Sequence, residues 1–398
     1  MISISNLVFR MKKNAVGLAT IAILSSMVLV TLVGAASIYA GKKDYLVSAA
    51  PHDYSVSGNK VDLTSTKKLM DDFLIKTGEQ VNEEVAVSYL FFGIKNQETN
   101  KLTVFTKNER KVVPKSIVLV FSQETFKQLT GKELNLSSNQ IALYTKNKTF
   151  KTQKSLSIDG KNYQIHRQLG DFINKKVPNI YKIIVSDYSY LVVPDIKIFE
   201  SSMKGTSIAQ ATYVGVNVKD STHDAKKNLD LLDQIAGEAT KQLAGQTTGV
   251  PESYFSANSR YDAEGMVNGF VGGTLFIGIF LSIIFMLGTV LVIYYKQISE
   301  GYEDRERFVI LQKIGLDDLQ VKQTIRKQVL TVFFLPLIFA FIHLAFAYHM
   351  ISLIVRIIGV LNPDLMLVVT IIVCGVFFLA YILVFVLTSR SYRRIVSM

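Results

Sequence analysis

Side chains that could do chemistry are sparse in this 398-residue sequence, which has five histidines, one cysteine and no tryptophan. His52, His166 and His223 have no Cys or second His beside them at the spacing a metal site needs, so they read as surface or packing residues and no metal is expected. A G-x-x-x-x-G-K-[ST] phosphate loop, an H-E-x-x-H metal helix and a G-x-S-x-G nucleophile elbow are all absent. The expectation is a protein that is not an enzyme, holds no cofactor and has no ATP-binding motif of its own. His343 stands apart as the one ionisable side chain deep in an apolar run, where an unpaired group costs several kcal/mol. It reads either as a functional group or, the favoured reading, as a neutral imidazole bonded to a neighbouring helix. Pro336 in the same run removes one backbone bond and predicts a kink, which suits a moving helix and a static one alike. Gly269-x-x-x-Gly273, with Gly272 and Gly278, lets two helix backbones approach closely, within the chain or between two copies.

Those residues belong to apolar segments that only a membrane explains. Residues 15–40, 266–296, 329–355 and 365–388 are assigned as four transmembrane helices, each long enough for a hydrocarbon core of roughly 30 Å. Their apolar cores hold no Lys, Arg, Asp or Glu, and Arg356 follows just after the third. A soluble enzyme is excluded. The run before Ala40 is about twice the usual apolar core of a signal peptide, so it is expected to be retained as a span.

The formal net charge of +12 does not point to nucleic acid, because the positions of Lys and Arg follow the membrane rule. Arg10, Lys12 and Lys13 precede the first span; seven Lys and Arg separate the second from the third; Arg390, Arg393 and Arg394 follow the fourth. These three groups predict a multi-pass protein of a bacterial cell membrane with the N-terminus 1–14, the loop 297–328 and the tail 389–398 in the cytoplasm. Residues 41–265, with 30 Lys and Arg against 25 Asp and Glu, then form a large extracytoplasmic domain. The lone Cys374 gives that domain no disulfide. Its Lys-rich stretches at 107–115 and 146–154 could draw anionic ligands but read as a solvated face.

The extracytoplasmic domain is expected to be α+β. Strands are predicted at Val113–Phe121, Ile141–Tyr144, Ile183–Val185, Tyr190–Val193 and Thr212–Val218. A hairpin is predicted over Ser155–Arg167 with Asp159-Gly160 at its turn. Helices are predicted at Lys67–Lys76, Ser122–Thr130 and Asp224–Leu243, stopped by Gly78, Gly131 and Gly245. Residues 245–265 read as a polar linker. In the cytoplasmic loop, Glu303, Asp304 and Glu306 open a short helix whose Phe308, Leu311 and Ile314 share a stripe and whose stop is Gly315. Asp317 then caps a second helix that runs into the third span.

Particular stretches resemble a known family. Gly272-Gly273-Thr-Leu-Phe-Ile-Gly-Ile-Phe280, Ile293-Tyr-Tyr-Lys-Gln-Ile-Ser-Glu-Gly-Tyr-Glu-Asp-Arg-Glu-Arg-Phe308 and Ile310-Leu-Gln-Lys-Ile-Gly-Leu316 are similar to the FtsX/MacB-like ABC transporter permeases and closely resemble the Bce-type bacitracin and antimicrobial-peptide resistance permeases. Arg10-Met-Lys-Lys-Asn-Ala-Val-Gly-Leu18 and Phe341-Ile-His-Leu-Ala-Phe346 also look like that family. The matching parts lie in the membrane segments, under half the chain.

The resemblance implies a helix that docks on a separate ABC ATP-binding subunit. Its contacts would be Glu303, Arg305, Glu306, Arg307, Phe308, Leu311, Ile314 and Gly315. It also implies an outside domain that recognises a peptide antibiotic or its lipid complex, and signalling to a sensor histidine kinase. Full-length relatives of this type resemble ten-helix chains, so the sequence matches a C-terminal half. It is expected to be a fragment, a product assembled with a separate N-terminal half, or a unit that pairs with a second copy. The rival reading is an FtsX-like scaffold that regulates a cell-wall hydrolase.

Overall fold

The computed structural model describes residues 15–98, 100–109, 114, 116–179, 185, 187–219, 224–244, 252–313, 318–360 and 362–396, and for 148–149, 300, 303–313, 318–332 and 389–396 it describes the backbone alone. The chain divides into two compact units, Met1–Lys42 with Gly269–Met398, and Lys43–Asn268.

Helix α1 (Ala15–Ala49) is followed by β1 (Tyr54–Asn59), α2 (Leu63–Thr77), β2 (Val81–Gln97) and β3 (Lys101–Val104). Next come β4 (Ser116–Ser122), α3 (Gln123–Thr130), β5 (Gln140–Thr145), α4 (Lys148–Lys151), β6 (Ser155–Ile158) and β7 (Lys161–Gln168). The strand-rich unit is completed by β8 (Asp187–Val193), α5 (Ile196–Ser202), β9 (Ile208–Val218), α6 (Ala225–Ala244) and β10 (Tyr254–Ser259). Three long helices end the chain: α7 (Arg260–Lys313), α8 (Asp318–Ile357) and α9 (Pro363–Val396).

The local signals act as their chemistry requires. Asp62 caps α2 by accepting the Ser65 N–H, and Gly78 closes it at φ +70°, a left-handed conformation that favours glycine. Ser122 and Gly131 do the same for α3. Asp159 and Gly160 both have positive φ, and they turn β6 into β7 with Ile158 opposite Lys161.

Ten strands join in one sheet ordered β10-β1-β9-β2-β3-β6-β7-β5-β8-β4, with β4 returning to pair with β2. That last pairing closes β2, β3, β6, β7, β5, β8 and β4 into a ring. Alternate residues from all seven strands meet inside it, including Leu90, Phe92, Leu102, Val118, Ile141, Leu156, Tyr163 and Leu191. Phe150 of α4 and Phe199 of α5 fill the same core. The long β2 makes the arrangement possible, because its residues Val81–Phe92 also pair with β9 and so extend the ring into a side sheet, β10-β1-β9-β2. Helices α2 and α6 cover one face of that side sheet, where Met70, Phe73, Leu232 and Ile235 pack on Tyr54, Val56, Val214 and Val216.

Two expectations change. The linker expected over 245–265 contains β10, which pairs residue for residue with β1, and α7 already starts at Arg260. An edge strand alternating exposed and buried positions carries too many polar residues to show an apolar run. The short helix expected after the second span is likewise one continuous helix with it, Arg260–Lys313. Residues 297–302 hold one glycine and no proline, a cost of about 1 kcal/mol that does not stop propagation. The expected strand Ile183–Val185 lies mostly outside the described residues.

Four helices are long and apolar enough to cross a membrane: Ala15–Ala49, Arg260–Ser299, Phe333–Ile357 and Pro363–Thr388.

Candidate functional site

Within the helical unit, polar and small side chains hold the apolar helices together. Thr31 Oγ1 on α1 lies 3.0 Å from Ser282 Oγ on α7, and Ser282 in turn donates to the Gly278 carbonyl. One turn away a Cβ placed on Gly278 would overlap Ala35, so the two backbones approach as only glycine allows. On the other side of α1, Ser26 Oγ is 3.1 Å from His343 Nδ1 of α8. His343 thus has a hydrogen-bond partner on a neighbouring helix. Pro336 is buried in the continuous α8, and one turn before it the Phe333 carbonyl accepts the Tyr381 hydroxyl of α9 at 2.8 Å.

The glycines singled out by sequence behave differently from one another. Gly269, Gly272 and Gly273 have no described atom within 4 Å of where a Cβ would stand, whereas Gly278 is the close contact. Of the residues expected to dock on an ATP-binding subunit, Glu303, Arg305, Glu306, Arg307, Phe308 and Leu311 lie on the backbone of α7, with side chains outside the described ones, and Ile314 and Gly315 lie outside the described residues.

The strand-rich unit has a polar centre that the sequence does not announce, at the point where α1 ends and α7 begins. Arg260 donates from Nε to the Ala50 carbonyl at 3.3 Å and from Nη1 to Asp53 Oδ1 at 3.4 Å. Asp53 Oδ2 accepts the Val218 N–H of β9 at 3.0 Å. Beside them His52 is 2% exposed, with Nδ1 2.7 Å from the Tyr213 hydroxyl. Burial pushes the His52 imidazole down to about 4, with Arg260 pushing the same way and Glu83 and Asp53 opposing. His52 therefore stays neutral through the physiological range. A cleft of about 460 Å³ opens elsewhere in the unit, lined among others by Phe91, Phe105, Tyr254 and the ion-paired Lys60 and Glu252. Among the described residues no three His, Cys, Asp or Glu converge as a metal site. The chemistry this set supports is binding and mechanical linkage.

No family model matches the chain. It is 23% identical over 350 residues to the ABC transporter permease protein YxdM of Bacillus subtilis, covering 86% of this chain and 50% of that protein. The curated proteins it resembles are named as transporter permeases. Two shorter matches agree with that reading: the uncharacterized ABC transporter permease YvcS, 30% identical over 31% of this chain and 18% of YvcS, and the bacitracin export permease BceB, 29% identical over 35% of this chain and 19% of BceB, both from Bacillus subtilis. The chain spans half the length of YxdM and a smaller share of the other two. With four candidate spans and permease relatives, it is a membrane protein.

Signals for the missed residues were weak. Ser26 could have been paired with His343 as a polar residue in an apolar run. Asp53 and Arg260 are 207 positions apart, and nothing local joins them.

Proposed function

We propose that this chain is the membrane subunit, or one half of such a subunit, of an ABC transporter that protects a bacterial cell from bacitracin-like peptides. A separate ATP-binding subunit docks on the end of α7, through Arg305, Arg307, Phe308 and Leu311 among others, and its closure moves the strand-rich unit on the far side of the membrane. That unit recognises the peptide or its lipid complex, and the movement is passed to a partner sensor kinase. The observation that carries the reading is the similarity to YxdM over 86% of the chain, membrane helices and strand-rich unit together.

The test is co-purification of the tagged chain from its native membrane, followed by mass spectrometry. Recovery of an ATP-binding subunit, with or without a further permease half, supports the reading and tells which assembly forms. Recovery of a cell-wall hydrolase with no ATP-binding subunit would replace it with the scaffold reading.

A further inference from the structure

The strand-rich unit, Lys43–Asn268, joins the rest of the chain at two places only, through α1 and through α7. Those connections arrive side by side. Strand β1 follows α1 and strand β10 precedes α7, and the two are antiparallel neighbours with Tyr54 opposite Ser259. The next pair outward is Asp53 and Arg260, whose backbones are already joined by the Arg260 N–H to the Asp53 carbonyl at 3.0 Å.

Antiparallel ladder bonds run perpendicular to the strands. A load that draws α1 away from α7 therefore strains one pair at a time, which is the direction in which a ladder peels most easily. The first pair to feel it is Asp53 with Arg260. At that pair the side chains add what a bare ladder lacks. Arg260 reaches past Asp53 to the Ala50 carbonyl, at the end of α1, and Asp53 holds Arg260 with one carboxylate oxygen and the Val218 N–H of β9 with the other. The Asp53 N–H donates to Asn217 Oδ1, and Asn217 donates to Glu83 of β2. The Ser48 carbonyl of α1 accepts the Asn179 N–H as well.

We propose that Arg260 and Asp53 form a force-bearing clasp: they bar the peeling of β10 from β1 and spread any load that separates α1 from α7 over β1, β9 and β2. The clasp itself stands without the transporter reading; its use in carrying a transport stroke rests on that reading.

Single-molecule pulling tests it on the full chain in lipid nanodiscs. Handles are attached through unnatural amino acids at Lys43 and Asn268 in a Cys374→Ala background, since Cys374 is the sole cysteine. Freeing β1 and β10, six residues each, releases about 40 Å of extended chain. In Arg260→Ala this step is expected to precede the main rupture and at a lower force than the first event of the parent. Asp53→Asn, which keeps the side-chain shape but removes the charge that holds the guanidinium, is expected to lower the first rupture in the same way, and it decides alone if Arg260→Ala does not fold. An unchanged first rupture in the folded variants, or an equal fall in every rupture force, would overturn the clasp. Loss of the ATP-binding partner in co-purification would leave these pulling results standing and defeat only the transport reading.

Discussion

Acid should loosen the strand-rich unit through His52. In the folded unit burial holds this imidazole at about 4, against an ordinary value of 6.5 in the unfolded chain. A folded-state value below the unfolded one means that the unfolded chain takes up a proton first, so stability is complete above pH 6.5 and is lost as pH falls toward 4. The loss grows at about 1.4 kcal/mol per pH unit and approaches about 3 kcal/mol at pH 4.

Glu109 is held near 2 by Lys95 and by the Thr106 backbone and hydroxyl, so its loss belongs to stronger acid. The interval from pH 6.5 to 4.5, between the unfolded and folded values of His52, is where its contribution is read. The assay is a urea titration of the full chain in nanodiscs at a series of pH values, read by tyrosine circular dichroism, because the chain has 18 Tyr and no Trp. His52→Asn keeps a polar atom near the Nδ1 position for the Tyr213 hydroxyl, and it should lower stability at neutral pH while flattening the profile in the window. A parent profile that is flat there, or one that runs parallel to that of His52→Asn, would refute the assignment of the acid sensitivity to this residue.

Other expectations concern the helices. Gly278→Val forces its branched side chain into Ala35 and should destabilise the α1–α7 contact by about 1–3 kcal/mol, seen as a lower melting temperature in detergent, while Gly272→Ala, with open space around it, should change little. A double-mutant cycle with Ser26→Ala and His343→Ala should give a coupling of about 0.6 kcal/mol and no more than about 1.7, typical of hydrogen bonds between membrane helices. Under the proposed function, Leu311→Asp or charge reversal of Arg307 should leave the fold intact and abolish stimulation of ATP hydrolysis in the reconstituted complex; unchanged stimulation in both variants would remove the docking role of α7.

The helices that cross the membrane were legible because lipid demands a continuous apolar run and forbids charge, a signal that needs no knowledge of partners. The helices α2 and α3 and the β6–β7 turn were legible for a different reason: Gly78, Gly131 and the Asp159-Gly160 pair take left-handed conformations at the positions where the sequence places them. Strand β2 escaped notice. Its apolar stretch Val85–Ile94 is buried on both faces, so it lacks the alternation that marks a half-exposed strand. Ring closure was equally hidden, since it depends on parallel pairings of β3 with β6 and of β4 with β8 that no local rule predicts. At the candidate sites, His343 was recognisable from its setting, but its partner Ser26 is 317 positions away. The Asp53–Arg260 pair lay beyond reach altogether, because each residue looks like an ordinary surface charge until β1 and β10 are paired.

That pairing also bears on how such proteins diversify. The strand-rich unit leaves α1 and returns to α7 through two residues bonded to each other, so it is an insertion whose two ends already meet. A different domain with equally adjacent ends could take its place without altering the spacing that the helices require. The strand-rich unit of a chain built this way can be exchanged as a cassette during evolution, or by design, while the membrane helices stay the same.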